Sequence, residues 1–344
     1  FCLMNKIIFI FLISSQILSA QTLNDLYFGS DTTFDIISWN IEWFPKNNNT
    51  ASEVQEILAQ LEADVYALQE IEDTTLLKQV VSNIPGYECY FKSSYYGGLA
   101  YVYNTNTIQI NSKYEIFTSQ PYWNAFPRSP QVLDCNFMGN NYIIINNHFK
   151  CCGDGILNTN NTNDEENRRL QAVTYIKQYI DNTLLGKRVI LLGDLNDEII
   201  DNTANNVFQD FINDNANYLF TDMLIAQGNS TDWSYPTWPS HLDHILITDE
   251  LFANFQNFNS LVSVIRIDDY MGTWSNYENN ISDHRPIGLK LDFGTVSYIP
   301  EKIGIESRAF KVLDILGRDV LKKKSGLVFK LYDDGTVEKK IIIE

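Results

Sequence analysis

The sequence predicts an α/β fold in which strands carry polar residues at their ends. Two observations carry that reading: apolar strand-like runs alternate with amphipathic helical stretches, and scarce ionisable side chains recur where those runs stop.

Met4-Asn5-Lys6 precedes the apolar run IIFIFLISSQILSA, which exits through Ser19-Ala20-Gln21. This is the layout of a secretory signal peptide, so residues 1–20 are expected to be a leader starting at Met4 and cut near Ala20, leaving a secreted protein. An uncleaved anchor or a buried first helix is the alternative. No later run approaches the length of a membrane span.

Residues 34–43 (FDIISWNIEW) read as a strand. Ser52 and Gln55 suggest a capping box, with Val54, Ile57, Leu58 and Leu61 on one helical face. The run DVYALQE (64–70) is a buried strand closing on a carboxylate. NYIIINNH (141–148) is a third strand, Leu170, Val173, Ile176, Ile180 and Leu184 mark a helix, and RVILLGDLND (188–197) is a fourth strand. HLDHILIT (241–248) and HRPIGLKLDF (284–293) add two more, while 151–166 and 227–240 read as loops. Residues 21–295 are thus expected to form one catalytic-sized domain. Composition shifts near 296, and residues 296–344 read as a linker (VSYIPEKIG) and a small β unit with an Asp334-Gly335 hairpin turn.

The formal charge is −18, and the excess acid lies before the tail, since residues 301–344 hold ten Lys/Arg against eight Asp/Glu. An acidic body excludes polyanion binding by a broad basic face. A phosphate ester would have to be held by a bound cation and local donors.

Cys2 precedes Met4, which leaves Cys89, Cys135, Cys151 and Cys152. In an oxidising compartment these permit disulfides to Cys89 and Cys135, or a vicinal bridge. A zinc site from His148, Cys151 and Cys152 is the rival, although adjacent cysteines offer a poor bite.

Asn40 and Glu42, Glu70, His148, Asp194 and Asn196, Asp243, and Asp283 with His284 all fall at or beside strand ends. Singly each has an ordinary role as a turn former, cap or satisfied polar residue. Together they compose a chemistry. A hard divalent cation takes oxygen ligands, which Glu70, Asn40 and an aspartate supply. A phosphodiester needs an activated water and donors for developing charge, which fit Asp194, Asn196 and the histidines.

The ordered set SWN (38–40), LQE (68–70), NNHFK (146–150), GDLND (193–197), LDHI (242–245) and SDHRP (282–286) resembles the endonuclease/exonuclease/phosphatase superfamily. The resemblance implies a four-layer α/β/β/α sandwich of two mixed sheets. It also implies roles: Glu70 ligates Mg2+ (with Mn2+ or Ca2+ as alternatives), with Asn40 beside it and Asp283 adding to the site. Asp194 orients or deprotonates water, Asn196 steadies phosphate or nucleophile, Asp243 orients His284 as base or donor, and His148 donates to a non-bridging oxygen. Glu42 and Arg169 are candidates for support or phosphate contact; His241 and His244 are expected to be packing or site-edge residues. Tyr96-Gly97-Gly98 and WSYPTW (233–238) are candidates for shaping the cleft.

The tail resembles a type IX secretion sorting domain, which implies secretion machinery as a partner and a cell-surface or extracellular location. The whole reads as a monomeric, metal-dependent phosphodiesterase, foremost an endonuclease on DNA or RNA. A sphingomyelinase-like or inositol-phosphate enzyme is the second reading, and a surface binding protein on a degenerate nuclease fold the third.

Overall fold

A computed structural model describes residues 21–92 and 98–294, together with three strands nearer the C-terminus. The chain divides at Gly294 into two compact units. In the first, the strands are β1 (Thr33–Phe44), β2 (Val65–Ile71), β3 (Tyr87–Phe91), β4 (Gly98–Asn104), β5 (Ile108–Glu115) and β6 (Gln131–Phe137). They continue with β7 (Asn140–His148), β8 (Val189–Asp194), β9 (Tyr218–Phe220), β10 (Asp243–Thr248), β11 (Leu261–Val264) and β12 (Ile287–Asp292). They form two six-stranded sheets, ordered β11-β12-β1-β2-β4-β3 and β5-β6-β7-β8-β10-β9. Each sheet is mixed, with β1–β2 and β7–β8 as parallel pairs in otherwise antiparallel ladders. With helices packed outside, this is the expected α/β sandwich.

Strand alternation builds the layers. Phe34 and Ile36 of β1, Val65 and Ala67 of β2, Ile144 of β7, Ile190 and Leu192 of β8, and Ile245 and Ile247 of β10 meet between the sheets. The opposite face of the first sheet, with Ile37, Trp39, Tyr66 and Leu68, takes Val54, Ile57, Leu58 and Leu61 of α1 (Thr50–Leu61) and Leu77 of α2 (Thr74–Ser82). The second sheet's outer face receives Val173, Ile176 and Ile180 of α3 (Glu165–Thr183). Each such apolar side chain stabilises the fold by roughly 1.5–3 kcal/mol.

The structure corrects several local readings. Ser52 is no N-cap: α1 starts two residues earlier, and the Ser52 hydroxyl donates to Asn49 O. The strand expected over 188–197 stops at Asp194, because Asn196 turns left-handed (φ 55°) and donates its N–H back to Asp194 Oδ1. Strands β3, β4, β5, β6, β9 and β11 were not legible as separate runs. All four described cysteines are free. Cys135 lies between the sheets while Cys89 packs toward the α1–α2 side, so the first sheet separates them.

In the second unit, β13 (Ala309–Leu313), β14 (Gly326–Tyr332) and β15 (Val337–Ile342) pair antiparallel in that order. The leader 1–20, Tyr96-Gly97, the VSYIPEKIG linker, Lys322–Lys324 and the Asp334-Gly335 turn lie outside the described residues. Among the described residues no helix is long and apolar enough to cross a membrane.

Candidate active site

Register assembles half of the site. His148 on β7 stands opposite Asp194 on β8, and Asp194 stands opposite Asp243 on β10. Directly opposed residues share a face, so these three extend the inter-sheet face that Ile144, Ile190 and Ile245 fill deeper in the sandwich. The interface therefore changes from apolar to polar toward the strand ends. A transitional layer comes first: Gln69 Nε2 donates to Asn146 Oδ1 (2.8 Å) and Ser38 Oγ (3.2 Å), and Asn146 Nδ2 donates to Leu68 O (3.0 Å).

The first sheet supplies the facing half. Asn40 continues the inward row of Phe34, Ile36 and Ser38, and its amide joins the sheets, donating to Asp194 Oδ2 (2.9 Å) and Glu70 Oε1 (3.1 Å). Glu70 would alternate away from the site after the inward Gln69. A left-handed backbone at Glu70 (φ 61°), where the β2–β4 ladder slips, turns it in. Its second oxygen accepts the Trp43 N–H at 3.2 Å.

His284 arrives from the loop before β12. Its N–H donates to Ser282 Oγ (2.9 Å), Ser282 Oγ donates to Asn40 O (2.7 Å), and Tyr277 O–H donates to His284 O. Its Nδ1 donates to Asp243 Oδ2 at 2.7 Å, leaving Nε2 3.8 Å from Asp194 Oδ2. Asp283 stands beside it on the rim, its Oδ1 4.0 Å from His284 Nε2. Tyr235 packs on the imidazole with ring centroids 4.8 Å apart.

Charge is unevenly balanced here. Burial pushes the Asp194 carboxyl up to about 7, opposed by His284 and helped by Asp243 and Glu70. For His284 burial opposes protonation, but the Asp243 and Asp194 carboxylates outweigh it and raise the imidazole to about 10. His148 is held well below its ordinary value by burial and by the charges of Arg128 and His284, so it is neutral near pH 7. The site thus presents a charged imidazolium, a neutral imidazole and a carboxyl poised near neutrality.

Glu70, His148 and Asp194 offer atoms close enough to hold one ion. His148 Nε2 lies 3.4 Å from Asp194 Oδ2 and 3.7 Å from Glu70 Oε1. Convergent carboxylates with few fixed cations suit a hard divalent ion. Asn40 presents its amide nitrogen to them, while its oxygen accepts the Glu42 N–H at 3.0 Å. The resulting cleft, about 380 Å3, is lined by Glu42, Trp43, Glu70, His148, Asp194, Asn196, Tyr235, Asp283 and His284, among others. Asn196 also reaches Phe149 O through Nδ2 (3.4 Å).

Other candidates take structural places. Arg169 does not face the cleft as a phosphate contact. It is buried against Asp197 (2.7 Å) and Glu166 (3.1 Å), and its Nη1 holds the carbonyls of Lys150 and Cys152. Glu42 accepts from Lys46 Nζ and from Asp283 N (2.9 Å), bracing the rim. Arg285 of the SDHRP stretch clamps Asp268 at 2.6 and 2.9 Å. His241 and His244 pack as expected, both donating to Asp222 Oδ2 at 3.0 and 2.6 Å. Their cluster has metal-like composition, but hydrogen bonds already occupy its ligand atoms: His241 Nδ1 accepts Ser234 N–H and His244 Nε2 donates to Asp197 O. Cys151 and Cys152, with sulfurs 3.0 Å apart, line the same cleft as Glu70, but among the described residues they join no group able to hold an ion, so the zinc site with His148 is not formed. Trp43 was missed as a cleft residue; its place in an apparently continuous strand gave no signal.

Residues 37–284 match the model of the endonuclease/exonuclease/phosphatase family. D. rerio TDP2 complexed with a single-strand DNA product is similar in fold: TM-score 0.55, 16% identity, covering 76% of this chain and 100% of that one. The human Nocturnin catalytic domain with bound sulfate gives TM-score 0.53 and 16% identity over 75% and 93% of the two chains. An endonuclease/exonuclease/phosphatase from Bacteroides vulgatus gives TM-score 0.53 and 12% identity over 76% and 99%. A search of curated proteins found no match.

Proposed function

Because this chain belongs to the endonuclease/exonuclease/phosphatase family, we propose that it is a divalent-metal-dependent phosphodiester hydrolase whose substrate is nucleic acid, cut internally. The observation that carries the reading is the union of two half-sites: the His148–Asp194–Asp243 row on one sheet faces Asn40, Glu70 and His284, the last from the loop before β12, on the other. The DNA product held by the D. rerio relative supports the substrate class.

Glu70, with Asp194 beside it, would hold the ion, with Mg2+ the first expectation and Mn2+ or Ca2+ alternatives. Asn40, expected as a ligand, would instead steady both carboxylates through its amide N–H groups, and Asp283 would add negative charge at the rim. When bound, the ion supplies charge stabilisation at the phosphoryl oxygens and a more acidic water. Asp194, poised near neutrality, orients and deprotonates the attacking water, which enters in line with the bond to be broken. Asn196 steadies the phosphate beside it. His284, kept charged and oriented by Asp243, donates to the phosphoryl group as negative charge grows. His148, neutral and buried, donates to a non-bridging oxygen. The leader and β-rich tail belong to the same proposal, as the means of export to the cell surface or medium.

The test is incubation of the protein with supercoiled plasmid and single-stranded RNA in Mg2+, with EDTA and His284→Ala as controls. Nicking or RNA cleavage lost in both controls is expected. No cleavage of either polymer by folded, Mg2+-loaded protein would reject the nuclease reading and direct assays to sphingomyelin and inositol phosphates.

A further inference from the structure

The first strand carries an irregularity that the catalytic roles above do not use. Its pairing with β2 is regular through Asn40 and resumes at Phe44, so the residues between form a bulge. Within it Trp43 adopts a left-handed backbone (φ 54°), a conformation a bulky side chain takes only when surroundings enforce it. The enforcement is visible on both sides. Trp43 N–H is held by Glu70 Oε2, and Phe44, fully buried, accepts the N–H groups of Glu72 and Asp73 at its carbonyl. The backbone is therefore pinned while the indole remains 50% exposed. Bulges beside active sites commonly re-aim one side chain, and here the re-aimed side chain lines the cleft with Glu70, His148, Asp194 and His284.

A bulge that merely placed Glu70 would need only the backbone N–H of residue 43, which any non-proline residue provides. A large aromatic left half in water has no packing reason to be there: among the described residues no aromatic ring stacks on it. What an exposed, immobilised indole offers is a flat π-face at a fixed distance from the reacting group, at little entropic cost to the ligand's partner. The rest of the lining consists chiefly of carboxylates, imidazoles and thiols, which suit a phosphate and its ion, and its other large ring, Tyr235, packs on the His284 imidazole.

We propose that Trp43 forms a base-stacking subsite, holding the nucleobase adjacent to the scissile phosphodiester. This rests on the nucleic-acid reading above and adds to it that the base next to the cut must be unstacked from its neighbour, which favours single-stranded or locally opened strands. Stacking is tolerant of sequence because every base has a π-face, so little base preference follows. In an acidic protein such a contact also supplies affinity that does not depend on backbone charge.

The experiment is a four-cornered kinetic cycle in Mg2+. Wild type and Trp43→Ala are compared on a single-stranded oligonucleotide, and on the same strand carrying an abasic residue on either side of the cleaved bond. Trp43→Phe tests retention of the aromatic face. On the intact strand Trp43→Ala should lose about 5- to 100-fold in kcat/KM, mainly through KM, and Trp43→Phe should recover most of it. On the abasic strand wild type should fall to the level of the alanine variant, so the two differ by less than about twofold. An equal loss on intact and abasic strands would overturn the stacking role and assign Trp43 to positioning Glu70; no loss on the intact strand would overturn it as well. If wild type cleaves neither strand, or only sphingomyelin, the nucleic-acid reading itself falls, an outcome distinguishable because it appears before any substitution is made.

Discussion

Asp222→Asn tests the buried charge cluster that backs the site. Asp222 Oδ2 receives His241 Nε2 and His244 Nδ1, while Oδ1 receives Ile245 N–H at 3.1 Å. Both nitrogens of His244 donate, the second to Asp197 O at 2.9 Å, so His244 is an imidazolium. Burial opposes that charge, but Asp222 outweighs it and raises the imidazole above its ordinary value. Burial likewise opposes the Asp222 carboxylate, yet His244 and His241 hold it below the usual range. An asparagine removes the negative partner and leaves the imidazolium uncompensated, which costs about 3–5 kcal/mol. For a domain of this size that lowers Tm by roughly 6–10 °C. The depressed carboxylate contributes fully above its unfolded value, about pH 4, and is lost as pH falls toward its folded value. The raised imidazole contributes fully below its unfolded value, about pH 6.5, and is lost as pH rises through its folded value. The variant's deficit should therefore peak between about pH 4 and 6.5 and shrink on either side. Urea denaturation of both proteins from pH 3 to 9 measures this. A deficit below about 1 kcal/mol, or one independent of pH, would refute the reasoning.

Three further substitutions probe the site and its supports. Asp243→Asn should leave the fold intact but lower kcat on the order of 1,000-fold, because the amide no longer selects the His284 tautomer or stabilises its charge; the readout is kcat beside an unchanged melting curve. Gly193→Ala should destabilise by more than about 3 kcal/mol and depress activity together, since Gly193 has φ 141° and an added Cβ would lie 1.9 Å from Asn147 O, prying apart the strands that set His148 against Asp194. Arg169→Met should cost about 3–5 kcal/mol by stranding Glu166 and Asp197, and limited proteolysis should cut more readily within 150–155, whose carbonyls Arg169 holds.

The central strands were legible because burial on both faces leaves a continuous apolar run: β2 reads VYALQ and β8 reads VILLG. The edge strands β3, β5 and β11 are half exposed along most of their length, so neither a continuous run nor clean alternation marks them. In the site, residues that follow alternation, Asn40, His148, Asp194 and Asp243, sit where a strand-end reading puts them. Glu70 and Trp43 depend on left-handed backbone positions that period-two reasoning does not reveal, and Glu70 was found through its motif instead. Arg169 looked available for phosphate because its partner Asp197 is 28 residues away in sequence. The cysteines were open to several pairings for a similar reason: the sides of the sheets that Cys89 and Cys135 occupy are set by register, of which spacing carries no trace, and in the structure all four are free.

The most direct test of the account is whether Asp194 and His284 act as one catalytic unit. Turnover of a nucleic-acid diester in Mg2+ is measured for Asp194→Asn, His284→Gln and the double variant, with folding checked by thermal melting. If water activation and charge stabilisation belong to one transition state, the double variant should be about as slow as the slower single variant. Fully additive losses, or retained turnover in His284→Gln, would contradict it.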